Sequence, residues 1–281
     1  MTADTWFGPS QAAAMIVRPA TEDDKYSRGV LGVLTGSARF PGAAVLGVEA
    51  AARSGAGMVR YLVPDETSRR LVLSRRPEAV TSEGRVQAWL VGSGTDRSDR
   101  TDEESAALAR ALDSGVPVVL DAGALDLVRS VRGPAVVTPH ARELTRLRET
   151  AGLSRGSEPR GSTAQAAAAE TARDLGVAVV LKGSVTHVAT PSGWSAAIGP
   201  SSPWLASAGT GDVLGGILGA FVAGHAAHRH IGVEDLGPIA AAAVVVHARA
   251  GEIAADGAPL LALEVAEAIP SAIRQLLRAG A

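Results

Sequence analysis

Short runs of apolar, often β-branched residues alternate along this chain with longer segments that have helical periodicity. The predicted strands are residues 30–34, 58–63, 86–91, 116–120, 135–138 and 177–181. The helices predicted between them are residues 42–53, 102–112, 124–130 and 163–175. Apolar runs this short, separated by helices, are typical of βαβ units with parallel strands. The pattern therefore predicts an α/β protein with a mostly parallel sheet.

The last third of the chain adds a strand pair across residues 190–193 and then only helices. The predicted helices are residues 211–223, 238–255 and 264–278. The middle one is apolar on nearly all sides, which indicates a buried helix. Residues 152–163 are polar and without periodicity, which favours a surface loop over a domain linker. We therefore expect a single domain at residues 25–281, preceded by an N-terminal extension of residues 1–24.

The composition disfavours or excludes several partners and compartments. Lys plus Arg number 27 and Asp plus Glu 29, a formal charge of −2 without the basic excess of most nucleic-acid-binding proteins. The absence of cysteine excludes disulfides, thiolate nucleophiles and cysteine-ligated zinc. There is no secretory leader pattern, and no stretch approaches the ~20 apolar residues that span a bilayer. We expect a cytoplasmic protein with no nucleic-acid or membrane partner.

Many of the 32 glycines flank apolar runs, and the strongest such motif opens the helix at residue 211. Gly209, Thr210, Gly211 and Asp212 form a glycine-rich turn at the start of this helix. Backbone N–H groups and the positive end of a helix dipole bind anions, so a phosphate fits this position. Asp212 is either a carboxylate that complements the helix terminus or a base beside a transferred phosphoryl group.

Three further polar motifs follow predicted strands, at the edge where α/β sheets bind ligands. Lys182 to Thr186 could contact a ligand or form a solvated strand end. His140 could contact a substrate, although with Glu143 it could equally begin a helix. Asp121 is either a ligand or a turn residue. Neither a Rossmann fingerprint nor a Walker phosphate loop is present in the sequence.

Two other clusters of metal-ligating residue types have simpler explanations. His225, His228 and His230 are irregularly spaced and lack a close carboxylate, which favours a loop between helices over a metal site. Asp23 and Asp24 are typical of a solvated turn.

Five short motifs, taken together and in their order along the chain, can be compared with those of known families. They are Gly36-Ser37 with Pro41-Gly42-Ala43-Ala44, Asp121-Ala122-Gly123-Ala124-Leu125, Thr138-Pro139-His140 with Glu143, Leu181-Lys182-Gly183 with Thr186, and Gly209-Thr210-Gly211-Asp212. This set closely resembles the ADP-dependent NAD(P)H-hydrate dehydratases of the ribokinase-like superfamily. The resemblance extends from about Lys25 to the C-terminal helix. It implies a ribokinase-like three-layer α/β/α fold with a central, mostly parallel sheet.

The resemblance also implies an activity. The S form of hydrated NADH or NADPH would be returned to the intact dinucleotide while ADP, the co-substrate, becomes AMP and phosphate. Transfer of the ADP β-phosphoryl group to the hydrate's hydroxyl would supply the leaving group that dehydration needs. Mg²⁺ is expected to bridge the phosphates, and a homotetramer is expected.

Residue roles follow from the same resemblance. Asp212 would be the catalytic base and a substrate contact. The anion hole would be formed by Gly209, Thr210 and Gly211. The adenine nucleotide would contact Lys182, Gly183, Ser184, Val185, Thr186 and Gly211. The hydrated dinucleotide would contact Ala43, Gly94 and His140. No direct metal ligand is expected, but Glu143 could support Mg²⁺ through water.

The sequence departs from the family pattern at three places. The segment before Gly209, which usually carries asparagines, is here residues 199–206 without any. Lys25 is followed by Tyr26 instead of glycine, and Ser93 stands inside a Gly-Pro-Gly type loop. Many relatives carry a fused epimerase domain, for which this sequence has no room, so we expect a separate epimerase chain.

The sequence is also compatible with two other functions. A ribokinase-like ATP-dependent kinase of a small alcohol, such as a vitamin precursor, would also use Asp212 as its base. A non-catalytic nucleotide sensor could have the same fold. The Thr-Pro-His motif with Glu143, together with the stretch from Lys182 to Thr186, favours the dehydratase.

Overall fold

A single mixed sheet forms the centre of the molecule, in a computed structural model that describes residues 5–154 and 158–279. Its strands are β1 (Val30–Leu34), β2 (Met58–Tyr61), β3 (Ala88–Val91), β4 (Val118–Leu120), β5 (Ala135–Val137), β6 (Ala178–Leu181), β7 (Thr186–Ala189) and β8 (Ser195–Ile198). Their order across the sheet is β2-β1-β3-β4-β5-β6-β7-β8. The first six pair in parallel, and β7 and β8 continue the sheet as an antiparallel hairpin. The predicted mostly parallel sheet and the strand pair across residues 190–193 are confirmed.

Helices flank this sheet. They are α1 (Pro9–Ala14), α2 (Pro41–Arg53), α3 (Glu66–Arg75), α4 (Asp102–Asp113), α5 (Ala141–Thr150), α6 (Ala164–Leu175), α7 (Thr210–His228), α8 (Leu236–Ala255) and α9 (Ala262–Ala279). Neighbouring residues of β3 face opposite layers, as successive strand side chains must. Leu90 packs on Gly215 and Gly219 of α7, whereas the Trp89 indole donates to Ser114 at the end of α4. The three-layer arrangement expected from the resemblance is therefore present.

Glycines allow α7 to lie very close to its neighbours. A Cβ atom on Gly216 would stand 2.3 Å from the carbonyl oxygen of Gly47 in α2, and one on Gly219 would stand 2.9 Å from the Leu31 side chain. Position 216 requires glycine because the overlapping atom belongs to the backbone, whereas a Cβ at position 219 would force the Leu31 side chain to shift. Close packing of α7 on the sheet places its N-terminus at the carboxyl edge of the strands.

Several details differ from the sequence-based expectation. Residues 122–130 form a 3-10 helix, and α1 and α3 were not predicted. The α3 segment is strongly polar and buries only Ser68 and Val72, so its apolar periodicity is weak. Its start is nevertheless marked by Asp65, whose carboxylate accepts from the Ser68 N–H at 2.7 Å. The predicted loop at 152–163 extends over residues 155–157, which lie outside the described residues.

Helix α8 is, within the described residues, the one helix long and apolar enough to cross a membrane by length and composition. Most of it is buried inside the protein, and it packs against α7 and α9. A core helix passes the same test, and burial is what the sequence predicts for this segment.

The N-terminal residues pack onto the domain that follows them. Trp6 forms a parallel β-bridge with Ala197, and the Phe7 N–H donates to the Ala197 carbonyl at 3.0 Å. Phe7 is buried with its ring edge-on to Trp194, at 6.3 Å between centroids. Helix α1 contacts α8 and α9. The described part of the N-terminal segment thus extends the sheet beyond β8.

Candidate active site

The carboxyl ends of the parallel strands and the N-terminus of α7 meet at one edge of the sheet. The chain runs from β1 to β2 on one side and returns to β3 on the other side of β1. The strand order therefore reverses between β1 and β3, and a crevice opens at such a switch point. The polar motifs identified in the sequence lie along this edge.

Asp121, directly after β4, joins three of these strand ends. Its carboxylate accepts hydrogen bonds from the Ser93 hydroxyl at 2.7 Å, the Thr138 hydroxyl at 2.6 Å and the Lys182 ammonium at 2.8 Å. These partners follow β3, β5 and β6, whose parallel pairing brings their ends side by side. Asp121 is therefore neither a simple turn residue nor an isolated ligand. It is the centre of a polar network.

Both members of the Asp121–Lys182 pair are charged. Burial works to raise the pKa of Asp121, but the charge of Lys182 and the hydrogen bonds outweigh it, so this pKa lies below its ordinary value. Burial works to lower the pKa of Lys182, but the charges of Asp121 and Glu143 raise it above its ordinary value. The Lys182 side chain is only 21% exposed and is held inside the network, whereas Gly183 and Ser184 after it are exposed, as in a solvated strand end.

The Gly209–Asp212 turn starts α7 as predicted. Gly209 is the N-cap residue with φ at +90°, and a Cβ there would stand 2.6 Å from Leu46. The Thr210 hydroxyl donates to the carbonyls of Leu205 and Ser207, at 2.8 and 2.9 Å. The Lys182 ammonium lies 3.7 Å from where a Cβ of Gly211 would be. A helix terminus and a lysine therefore present positive charge to the same space.

Asp212, in the first turn of α7, has a pKa suited to accepting a proton. Burial and the negative charge of Asp121 raise this pKa to about 6, while hydrogen bonding from Ser93 and the charge of Lys182 oppose the rise. A base with a pKa slightly below neutral is ionised at pH 7 and still holds a proton effectively. The arrangement can deprotonate a hydroxyl next to a bound phosphate.

His140 and Glu143 form the start of α5, as one of the two interpretations of this motif predicts. The Glu143 N–H donates to His140 Nδ1 at 3.2 Å, and the His140 N–H donates to the Glu143 carboxylate at 2.8 Å. This capping box satisfies two orphan donors of the helix. Because Nδ1 accepts, the ring proton lies on Nε2, and the side chain is 52% exposed. The cap therefore leaves His140 free to offer a donor to a ligand.

Ala43 and Gly94 touch across the switch point between β1 and β3. Gly94 has φ at +67°, and a Cβ on it would stand 2.5 Å from the Ala43 Cβ. Its neighbour Ser93 bonds to Asp121 and also interacts with Asp212. The two small residues thus lie beside the polar network.

The loop between β6 and β7 borders a separate cavity of about 470 Å³. Its walls include Lys182, Gly183, Ser184 and Val185, whereas the Thr186 hydroxyl donates back to the Gly183 carbonyl at 3.3 Å. On the far side lie Arg160 and residues of the α6 start. Leu181, His187 and Trp6 also line this cavity. They lie on adjacent strands in one row across the sheet, because Leu181 pairs with His187, and His187 and Trp6 both pair with Ala197. Lys182 thus connects this cavity with the α7 terminus.

The donor set fits a magnesium ion held mainly by phosphates. Within residues 5–154 and 158–279, no group of three or more His, Asp or Glu side chains could cage a metal. Mg²⁺ usually keeps several waters and takes one or two carboxylates besides substrate phosphates. Glu143, whose carboxylate is 22% exposed and 3.8 Å from the Lys182 ammonium, could support such an ion through water. His225, by contrast, is engaged with the Met15 carbonyl at 2.9 Å.

Two residues of the site were not selected from the sequence. In the sequence, Ser93 stands out only as part of a glycine loop, and His247 belongs to no motif because it lies inside a mainly apolar helix. His247 Nε2 lies 2.9 Å from the Thr210 carbonyl oxygen. The signal in the sequence that identifies it is an imidazole directly after the apolar run of residues 236–246.

Comparison with known sequences gives one consistent result. Residues 31–271 match the family described as NAD(P)H-hydrate dehydratase. The bifunctional NAD(P)H-hydrate repair enzyme Nnr of Mycobacterium tuberculosis is 43% identical over 230 residues, which are 77% of this chain and 46% of that protein. The ADP-dependent (S)-NAD(P)H-hydrate dehydratase of Xanthomonas campestris is 32% identical over 228 residues, 73% of this chain and 76% of that protein. The chain spans about half the length of the bifunctional relatives.

Solved structures agree with the sequence comparison. The ADP/ATP-dependent NAD(P)H-hydrate dehydratase of Bacillus subtilis, co-crystallised with ATP and Mg²⁺, superposes with a TM-score of 0.81 at 27% identity. The match covers 98% of this chain and all of that one. A ribokinase-like superfamily protein of Enterococcus faecalis has a TM-score of 0.80 at 21% identity, which shows the fold alone.

Proposed function

The chain belongs to the NAD(P)H-hydrate dehydratase family, and on this premise we propose that it performs the ADP-dependent dehydration of the S form of hydrated NADH or NADPH. The products are the intact dinucleotide, AMP and phosphate. The observation that carries the proposal is the convergence of Asp212, Lys182 and the glycine turn on one space at the sheet edge. A base, a cation and backbone N–H donors are what phosphoryl transfer to a hydroxyl requires.

Asp212 accepts the proton of the hydrate's hydroxyl as that oxygen attacks the β-phosphorus of ADP. The bond from this phosphorus to the bridging oxygen breaks, and AMP leaves. The N–H groups at Gly209, Thr210 and Gly211 stabilise the charge that spreads over the moving phosphoryl group. The phosphorylated hydrate then loses phosphate, and loss of a proton from the adjacent ring carbon restores the double bond.

Lys182 supplies a positive charge to the nucleotide phosphates. Its pairing with Asp121 holds the ammonium between the cavity at the β6–β7 loop and the α7 terminus. Gly183, Ser184, Val185 and Thr186 border the rest of the nucleotide, with Gly211 at its phosphate end. Glu143 would hold a magnesium ion through water, and such an ion would supply positive charge against the phosphates.

The hydrated dinucleotide occupies the switch-point crevice next to Ala43 and Gly94. Gly94 has no side chain and Ala43 only a methyl group, so neither residue places a bulky side chain between the backbone and the hydrated nicotinamide ring. The exposed His140 donates from Nε2 to a polar group of this substrate. Asp212 then lies between the two ligands and touches both.

The deciding experiment follows reduced-nicotinamide absorbance after the purified chain is mixed with S-NADPH hydrate, Mg²⁺ and ADP. Recovery of the absorbance that requires ADP and yields one AMP per dinucleotide would support the proposal. The matched control omits ADP. An absence of recovery, together with ATP-dependent phosphorylation of a vitamin-type alcohol, would instead identify a small-alcohol kinase. Stable nucleotide binding without any turnover would identify a sensor.

The assembly is part of the proposal. We infer a homotetramer in the cytoplasm. A distinct epimerase activity would convert the R form of the hydrate to the S form that this chain dehydrates. The matched relatives include proteins named as bifunctional repair enzymes, so only the dehydration step is assigned to the residues of this chain. Sedimentation of the purified chain tests the tetramer, and a monomer at assay concentration would contradict it.

A further inference from the structure

The N-terminal turn of α7 is held from one side by α8. The carbonyl oxygen of Thr210 lies 2.9 Å from His247 Nε2, and because a carbonyl cannot donate, this ring nitrogen must carry the proton. One turn further along α8, Gly251 leaves room for Leu205, which would stand 2.7 Å from a Cβ there. Residues four apart lie on the same helix face. One face of α8 therefore contacts the turn at Thr210 and the segment leading into the turn at Leu205.

The bonded carbonyl belongs to the same peptide unit as the N–H of Gly211. A trans peptide is planar, and its C=O and N–H point in opposite directions. The bond from His247 holds the Thr210 carbonyl pointing along α7 toward its C-terminus. The N–H of Gly211, in the same peptide unit, therefore points out of the N-terminus of α7. A hydrogen bond to the carbonyl also polarises the unit and makes its N–H a better donor.

The ring is neutral at ordinary pH. Burial lowers the pKa of His247 to about 4, and the charge of Lys182 acts in the same direction. A neutral ring with its proton on Nε2 donates one hydrogen bond to Thr210 and adds no charge to the site. Its contribution is therefore geometric and dipolar.

We propose that His247 is a positioning residue for phosphoryl transfer, acting through the Thr210–Gly211 peptide unit. It orients and polarises the Gly211 N–H toward the transferred group. This inference rests on the proposed function, because it assigns that N–H to the anion hole of the same reaction.

The test compares two substitutions that differ in one donor. His247→Leu removes the N–H, and His247→Gln replaces it with an amide N–H of similar reach. We expect His247→Leu to lower kcat about 10- to 100-fold, as is typical when an outer-shell orienting bond is lost, with little change in KM for the hydrate. His247→Gln should recover most of this loss. Equal losses of kcat in both variants, or wild-type kcat in folded His247→Leu, would overturn the inference.

A matched control separates positioning from stability. His225 also bonds a backbone carbonyl, that of Met15 at 2.9 Å, but lies near the other end of α7. His225→Leu should lower the melting temperature by an amount similar to His247→Leu and leave kcat unchanged. If both variants lose kcat in proportion to their loss of melting temperature, His247 is merely structural.

A second readout does not depend on turnover. In protein labelled with ¹⁵N-glycine, we expect the Gly211 amide proton to resonate downfield in the wild type and in His247→Gln, and to move upfield in His247→Leu. No shift would overturn the inference even if the enzyme is active. Absence of dehydration by the wild type, with the amide shift present, would instead count against the proposed function alone.

Discussion

At the scale of single residues, two neighbouring carboxylates have environments that move their pKa values in opposite directions. Asp121 lies among three donors, which lower its pKa and keep it charged. Burial and the negative charge of Asp121 raise the pKa of Asp212 to about 6. Such a separation assigns different tasks to two residues of the same type. Asp121 anchors Lys182, and Asp212 remains available to take up a proton.

Asp212→Asn should abolish turnover while ADP binding persists. The amide cannot accept the hydroxyl proton, but it keeps the shape of the side chain. It should also raise the melting temperature at pH 7, because the folded state no longer has to hold an ionised carboxylate whose pKa is raised above its unfolded value. Calorimetric titration with ADP and thermal unfolding check both parts. Retained turnover would remove Asp212 from the mechanism.

The pH dependence of kcat/KM should show an acid limb near pH 6. Asp212 must be ionised to act, so activity is full above its folded pKa of about 6 and falls as pH drops through it. Below that value the rate should decrease about tenfold per pH unit. The measurement is kcat/KM from pH 5 to 8 in buffers of constant ionic strength, with fluorescence confirming that the fold persists. A kcat/KM that stays constant from pH 8 down to pH 5 would contradict this assignment.

At the scale of elements, the N-terminal turn of α7 depends on backbone conformation and on its neighbours. Gly209 has positive φ and faces Leu46 and Ala262, so it is restricted both by its own backbone and by packing. Gly115 also has positive φ, at +77°, but a Cβ there would meet nothing within 4 Å. A comparison of alanine substitutions at these two glycines therefore separates the effect of backbone strain from that of steric overlap.

Gly209→Ala should reduce kcat at least tenfold and destabilise the protein more than Gly115→Ala does. The second substitution incurs only the strain of positive φ, on the order of 1 kcal/mol, and should leave kcat unchanged. The first adds overlaps at 2.6 Å with Leu46 and 3.0 Å with Ala262, so either the turn or the Leu46 side chain must shift. Chemical denaturation and steady-state kinetics of both variants give the comparison. Equal effects on kcat would show that packing at Gly209 has no special role.

At the scale of the whole molecule, the sheet order determines which residues meet, and a buried charge cluster holds its supporting helices together. Glu49 of α2 has a side chain with 0% exposure and pairs with Arg53 at 2.6 Å, with Arg75 at the end of α3 and with Arg76 directly after it. Arg75 also reaches Glu267 of α9. The α3 segment, which has little apolar surface to bury, is attached to the molecule largely through these charges.

Glu49→Gln should destabilise the protein by about 3 kcal/mol, because it removes the buried carboxylate that three partly exposed arginines share, although Arg75 and Arg76 keep their pairs with Glu267 and Glu78. Glu66→Gln is the control, since its pairs with Arg69 and Arg70 are exposed and contribute less than about 1 kcal/mol. Urea denaturation at pH 7 measures both. Similar losses for the two variants would contradict a special role for Glu49.

The contribution of Glu49 should also disappear in acid. Burial works to raise the pKa of this carboxyl, but the bonds from Arg76, Arg53 and Arg75 outweigh it and lower the pKa to about 2 in the folded state, below its ordinary value of 4.5. A lowered pKa stabilises the fold fully above pH 4.5 and progressively less as pH falls toward 2. The difference in unfolding free energy between the wild type and Glu49→Gln should shrink over that range. A difference independent of pH would contradict this account.

Much of the fold and part of the site could be predicted from the sequence alone. Apolar periodicity is a local property, so the strands and most helices followed from it. The turn at Gly209 with Asp212 followed from glycines and an acidic residue directly before an apolar helix, which are local signals of a helix start. The role of Asp121 could not be predicted, because its partners Ser93, Thr138 and Lys182 are brought to it by strand pairing. The contact from His247 to the α7 turn depends on helix packing, and the raised pKa of Asp212 on burial and a neighbouring charge. Residue types and their local periodicity are properties of the sequence itself. The distances between strand ends, and the pKa shifts that follow from them, arise only when the sheet forms and brings those ends together.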